Sequence, residues 1–138
     1  MIVLDTNVLS ELMRKQPAPG VVAWVGAITA TRLFVSAVTE AEILYGISML
    51  QPGDRRDHLN RLARQMFDED FAGRRLSFDS AAAVEYATIA ATRRIAGRPI
   101  QTADAQIAAI ARSRGGSVAT RNVADFQGCG VQLINPWG

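Results

Sequence analysis

An α/β fold, with a parallel sheet of about five strands covered by helices on both faces, is what this 138-residue chain predicts. Two observations predict it. Short apolar runs such as Ile2-Val3-Leu4 and Leu33-Phe34-Val35 recur along the chain, separated by longer stretches with helical periodicity. Those runs are apolar throughout, as strands buried on both faces are, and a strand–helix alternation of this kind builds parallel sheets. The length suits one domain, residues 1–138, around a single core.

The elements follow in order. Ile2 to Leu4 is a short buried strand, and Val8, Leu9 and Leu12 continue at helical spacing, so the strand runs straight into a helix. Gln16-Pro17-Ala18-Pro19-Gly20 breaks it, and Val21, Val22, Trp24, Val25 and Ile28 suit a second short helix. Leu33 to Val35 is the second strand. Ser36 and Thr39 are helix-start residues for a helix to about Leu50. After Gln51-Pro52-Gly53-Asp54, residues 54–71 set Leu59, Leu62, Met66 and Phe67 among charges, an amphipathic exposed helix. Arg75 to Phe78 is a third strand, with Asp79 or Ser80 capping a helix to about Ala96. Gly97-Arg98-Pro99 stops it. Thr102 opens an alanine-rich helix that Gly115-Gly116 ends. Ser117 to Thr120 and Val131 to Ile134 are the last two strands.

Composition narrows the chemistry. With 49% hydrophobic and 20% charged residues, a long disordered stretch is not expected. One cysteine, Cys129, and one histidine, His58, exclude an internal disulfide and a Cys/His metal cluster. Ile2-Val3-Leu4 is too short for a signal segment, and no apolar run nears the roughly 18 residues of a membrane span, so a cytoplasmic protein without a membrane partner is expected. No G-x-S-x-G elbow and no phosphate-cradling glycine loop occurs. Lys15 is the only lysine among fifteen basic residues; arginine is the better fork for phosphate.

Four acids stand at strand ends or helix starts. Asp5 closes the first strand, where it also reads as an N-cap. Glu42 shares a 3.6-residue stripe with Val38, Tyr45 and Met49, which predicts that it faces inward; Thr39-x-x-Glu42 also fits a capping box. Asp104 shares a face with Ile107, Ala108 and Ala111, or serves simply as a first-turn acid. Asp125 follows the fourth strand, beside Asn122, and by itself reads as a turn residue. Together they fall on one edge of the sheet, where open α/β sheets hold their functional crevice. Carboxylates converging there raise one another's pKa values. A hard divalent cation, Mg²⁺ or Mn²⁺, relieves that repulsion and activates water for phosphodiester cleavage. Setting these four aside leaves nine acids against fifteen bases, a surface of about +6 that attracts polyanions.

The segments Asp5-Thr6-Asn7, Ser36-x-x-Thr39-x-x-Glu42-x-x-x-Gly46, Asp104-x-x-Ile107-Ala108-Ala109 and Thr120-Arg121-Asn122-x-x-Asp125-Phe126 together resemble the PIN-domain family. The terminal Asn135-Pro136-Trp137 resembles the end of many VapC and FitB toxins of that family. The resemblance spans essentially the whole chain; each motif alone is weak, and four in this order are specific. It implies a Rossmann-like α/β/α sandwich and a Mg²⁺- or Mn²⁺-dependent endoribonuclease, the toxin half of a type II toxin–antitoxin pair. It implies three partners. These are an RNA substrate, a second copy in a homodimer, and a small DNA-binding antitoxin of VapB or FitA type whose C-terminal segment blocks the acidic pocket. DNA is reached only through that antitoxin. Asp5, Glu42 and Asp104 are the matching catalytic and metal-binding acids. FitB-like members place the fourth acid where this chain has Asn122, whereas many VapC members use the acid before Phe, here Asp125. Asp125 is favoured, with Asn122 as a polar neighbour and Thr6 and Thr120 as supporting hydroxyls.

Two other classes compete. A phospho-acceptor receiver also gathers acids at strand ends, and Phe78-Asp79 resembles its acceptor, but no lysine follows Lys15. A PIN fold with a degraded site would act only as a protein-binding module. For partners, the stretch 54–71 with Phe67 and Phe71 offers a dimer or antitoxin face, or is an ordinary core-packed helix. Arg55, Arg56, Arg61, Arg64, Arg74, Arg75, Arg93 and Arg94 are candidates for guiding RNA, or solvated surface.

Overall fold

A computed structural model describes residues 1–138. Its five strands are β1 (Ile2–Leu4), β2 (Leu33–Ser36), β3 (Arg75–Leu76), β4 (Ser117–Ala119) and β5 (Leu133–Ile134). All neighbours pair in parallel, in the order β3-β2-β1-β4-β5. Seven helices connect them: α1 (Thr6–Leu12), α2 (Pro19–Ala27), α3 (Ala37–Ser48), α4 (Asp54–Gln65), α5 (Ser80–Ile95), α6 (Thr102–Ser113) and α7 (Val123–Phe126).

The unbroken apolar strands have a direct cause. Successive strand side chains point to opposite faces. Ile2 and Leu4 enter one core cluster, with Leu33, Val35 and Ala119; Val3 enters the other, with Val118. The first core is closed by α1 to α4 through Val8, Leu9, Val21, Ile43, Ile47 and Ala63. The second is closed by α5, α6 and α7 through Ile89, Ala105, Ala108 and Phe126. Alanines on α6 bring it close to α5, and these two form the largest helix–helix contact. Gly115, at φ +67°, ends α6, and a side chain at Gly116 would meet Met1 at 3.2 Å.

Several expectations are corrected. β3 stops at Leu76 and β5 starts at Leu133, both being edge strands with one partner each. The short helix α7 was not expected; only four residues long, it carries too little periodicity to read. The stretch 54–71 is regular only to Gln65. A π-helical turn, Met66–Asp70, follows, with Phe71 N–H donating to the Met66 carbonyl at 2.9 Å. That wider turn sends Met66, Phe67 and Phe71 into the first core, so these aromatic rings are not an exposed partner face. No helix is long and apolar enough to cross a membrane.

The topology locates the crevice. From β1 the chain steps outward to β2 and β3, then crosses back to lay β4 on the other side of β1. The strand order therefore reverses between β1 and β4, and a ligand crevice forms beyond their carboxyl ends. A receiver has the order 2-1-3-4-5, which this sheet does not have. Asp79 is instead the N-cap of α5, accepting from Ala82 N–H at 2.9 Å and pairing with Arg114 at 3.0 Å.

Candidate active site

A cavity of about 520 Å³ opens at that reversal point. Asp5, Glu42 and Asp104 line it, brought there from β1, α3 and α6. Each is held differently.

Asp5 is 5% exposed. Its backbone N–H donates to the Ala119 carbonyl at 2.9 Å, extending the β1–β4 ladder by one residue and fixing its place. Oδ1 accepts from Thr6 N–H at 2.8 Å, so the cap reading is correct. Oδ2 faces elsewhere, accepting from Thr120 Oγ1 at 2.8 Å and Asn7 Nδ2 at 3.2 Å. Burial pushes the Asp5 carboxyl above the usual range, the Thr120 and Thr6 hydrogen bonds pull it back, and the charges of Glu42 and Asp125 add to the rise. Thr120, fully buried, also accepts from Asn122 N–H at 3.0 Å, which ties the loop after β4 to the same carboxylate.

Glu42 corrects the sequence reading. The buried stripe of α3 is Thr39, Ile43 and Ile47. Glu42, Tyr45 and Met49 lie on the exposed side, with the last two each 68% exposed. Both stripes satisfy helical periodicity, and contact with the sheet selects between them. The capping box also fails, because Ser36 is the N-cap and accepts from Thr39 N–H at 3.0 Å. Glu42 turns instead to α1, where its Oε1 accepts from Thr6 Oγ1 at 2.6 Å. The single Thr6 hydroxyl proton is thereby used. Thr39 Oγ1, 3.0 Å from Thr6 Oγ1, must donate to it. A hydroxyl chain thus runs outward from buried Thr39 through Thr6 to exposed Glu42.

Asp104 sits in the first turn of α6, half-buried, on the face it shares with Ile107, Ala108 and Ala111. No hydrogen bond reaches its carboxylate. Burial is the largest cause of its rise to about 6; the charges of Asp5, Asp125 and Glu42 add to it, and Arg93 opposes it.

Asn122 lines the cavity, while Asp125, exposed on α7, stands outside its wall. The charge of Asp125 still raises both Asp5 and Asp104. Its backbone carbonyl accepts from Arg93 Nη1 at 2.9 Å. Thr6 lines the cavity, and Thr120 supports it from behind.

Asn7, Ser10, Glu11, Arg14, Arg121 and Trp137 complete the wall; none of them figured among the sequence candidates as a site group. A signal existed. Positions 7, 10, 11 and 14 are the i, i+3, i+4, i+7 spacing of one polar face, directly after Asp5. Of the proposed RNA-guiding arginines, Arg93 is buried and donates to the Arg98, Asp125 and Gln127 carbonyls. Arg74 donates to the Ala30, Leu33 and Asp70 carbonyls, and Arg75 pairs with Glu40 and Asp68. These three are structural. Arg55, Arg61, Arg64 and Arg94 are exposed.

The donor set is all oxygen, which suits a hard divalent cation. The charge of Glu42 helps to raise the Asp5 carboxyl, and the charges of Asp5 and Glu42 help to raise that of Asp104, so a cation placed among them lowers the energy. No group of three acidic, histidine or cysteine side chains forms a ready-made coordination sphere. The residues therefore fit an ion that keeps several of its waters better than a tight all-protein cage.

The structure thus defines an α/β protein with an acidic crevice at its strand-order reversal, and comparison with known proteins gives the family. A family model described as "PIN domain" matches residues 2–127, and the chain belongs to the PIN-domain family. It is 42% identical over 137 residues to a plasmid stability protein, StbB, of Pseudomonas syringae, covering 99% of both chains. It is 42% identical over 138 residues to a VapC ribonuclease of Sinorhizobium fredii, covering 99% of this chain and 98% of that one. Among solved structures, FitAB bound to a DNA fragment superposes with a TM-score of 0.93 at 39% identity, covering 100% of this chain and 96% of that chain.

Proposed function

We propose that this chain is a metal-dependent endoribonuclease and the toxin component of a type II toxin–antitoxin pair of the VapBC or FitAB kind. The observation that carries the reading is the convergence of Asp5, Glu42 and Asp104, from three separate elements, on one cavity at the strand-order reversal. The name of the Sinorhizobium relative supports RNA as substrate, and the FitAB–DNA complex supports an antitoxin partner through which DNA is reached. A homodimer, a cytoplasmic setting and one domain over residues 1–138 belong to the same reading.

Asp5, Glu42 and Asp104 would hold Mg²⁺ or Mn²⁺, with Asp125 or Asn122 completing the set. When bound, the ion would neutralise phosphate charge and make a coordinated water more acidic. The chain's own contribution is placement. Asp5 is fixed by three donors, Glu42 by the Thr39–Thr6 hydroxyl chain, and Asp104 by the first turn of α6. Groups carried on regular elements and locked by hydrogen bonds keep the geometry that a displacement reaction requires.

The test is cleavage of a mixed RNA pool with Mg²⁺, with Mn²⁺ and with EDTA, beside Asp5→Asn. Metal-dependent cutting that is lost in the variant supports the reading; equal cutting by the variant overturns the mechanism. A protein-binding module with a degraded site is the second reading, and the open spacing of the carboxylates is what favours it. Calorimetric titration with Mn²⁺ separates the two, since a degraded site takes up no ion.

A further inference from the structure

Resting on the nuclease reading, we infer that Arg121, laid on the Trp137 ring, and Arg14 form a phosphate-binding subsite that grips RNA beside the scissile linkage.

A cavity lined by Asp5, Glu11, Glu42 and Asp104 repels a polyanion, and Arg14 and Arg121 are the only cations in its wall. Most other arginines near the sheet are already engaged. Arg74 and Arg93 donate to backbone carbonyls, while Arg75, Arg112 and Arg114 pair with carboxylates. Arg121 differs. Its guanidinium has no ion pair and no hydrogen bond to the protein. It is positioned instead by the Trp137 ring, 5.3 Å from the ring centroid. Its backbone N–H donates to Asn7 Oδ1 at 3.3 Å, which ties it to the residue that also donates to Asp5. A stacked guanidinium with all its donors free is preorganised to form bidentate bonds to a phosphate.

Arg14 occupies a second position. One of its nitrogens reaches Glu11 at 3.3 Å, and its side chain is 67% exposed. It lines both the acidic cavity and a larger groove of about 1030 Å³ between α1, α3 and α4. That groove carries Lys15, Arg55 and His58 on its walls. Arg121 and Trp137 border the acidic cavity and not the groove. The strand therefore has one cationic contact where it leaves along the groove and another, with an aromatic ring beside it, at the cavity itself.

The experiment uses an RNA that the wild-type chain cuts, with steady-state cleavage measured over a range of KCl for wild type, Arg121→Ala, Arg121→Lys and Arg14→Ala. Each alanine variant should raise KM about tenfold with kcat nearly unchanged, and flatten the logarithmic salt dependence of kcat/KM by about 0.7. Arg121→Lys should recover part of the loss, and thermal melting should be unchanged, as a merely structural role would not allow. Wild-type KM and salt slope in both alanine variants would overturn the subsite and leave the nuclease reading standing. A wild-type chain that does not cut RNA, together with an Asp5→Asn chain that does not bind it by anisotropy of a fluorescein-labelled pool, would overturn both.

Discussion

The end of β1 and the first turn of α6 face one cavity and hold their acids in opposite ways. Asp5 is almost wholly buried and accepts three hydrogen bonds, from Thr6, Asn7 and Thr120. Asp104 is more open and accepts none. Burial is the leading cause of the upward shift at both, yet at Asp5 the donors oppose it, whereas at Asp104 only the charge of Arg93 does. A carboxylate needs compensation for leaving water, and hydrogen bonds supply it only where the backbone and neighbours place donors. One acid is thus finished by donors of the fold, and the other is left without any.

Substitutions at the two ends should separate these roles. The largest effect is expected from Asp5→Asn, which should lower RNA cleavage by about a thousandfold with a melting temperature near wild type. Cleavage near the wild-type rate would break the comparison at its stronger end. Next comes Thr120→Val, which leaves the buried Oδ2 of Asp5 with only the longer Asn7 contact. It should cost about 1–3 kcal/mol in urea unfolding, with an unchanged m-value.

Asp104 should behave in the reverse sense. Its proton is held more tightly in the folded than in the unfolded chain, with the pKa raised from 3.8 to about 6. The stability it contributes is therefore full below pH 3.8 and is lost as the pH rises through about 6. In metal-free buffer, melting temperature should fall more steeply across that window for wild type than for Asp104→Asn, in which the raised Asp5 carboxyl still contributes. At pH 7.5 the variant should melt roughly 2–5 °C higher. A variant that melts lower would show that Asp104 is held by contacts like those of Asp5.

The smallest effect belongs to the hydroxyl chain behind Glu42. Thr39→Val keeps the shape and removes the donor to Thr6, so kcat should drop about threefold to tenfold, with Thr39→Ser restoring it. Equal losses in Val and Ser would assign Thr39 to packing alone.

The site's elements were legible to different degrees. Ile2-Val3-Leu4 followed by Asp5 reads correctly because a strand buried on both faces has no polar position until it ends. The placement of Asp104 reads correctly because Ile107, Ala108 and Ala111, which share its stripe, are all buried. Glu42 was misread because two adjacent stripes of α3 both carry apolar residues, Val38-Tyr45-Met49 and Ile43-Ile47. The choice between a partner face and the core for Phe67 and Phe71 stayed open in the sequence because a π-helical turn shifts the register of everything after Gln65. Arg93 looked like surface because its burial depends on carbonyls from residues 98, 125 and 127.

By itself the sequence determined the strand–helix alternation, the covered parallel sheet and the location of acids at element boundaries, because these follow from local periodicity and from the exclusion of polar side chains from buried strands. Tertiary structure alone decided the order of the strands, which stripe of α3 faces the core, whether Asn122 or Asp125 reaches the cavity wall, and which arginines remain free. Those outcomes depend on contacts between residues far apart in the chain, and local preference carries no information about them.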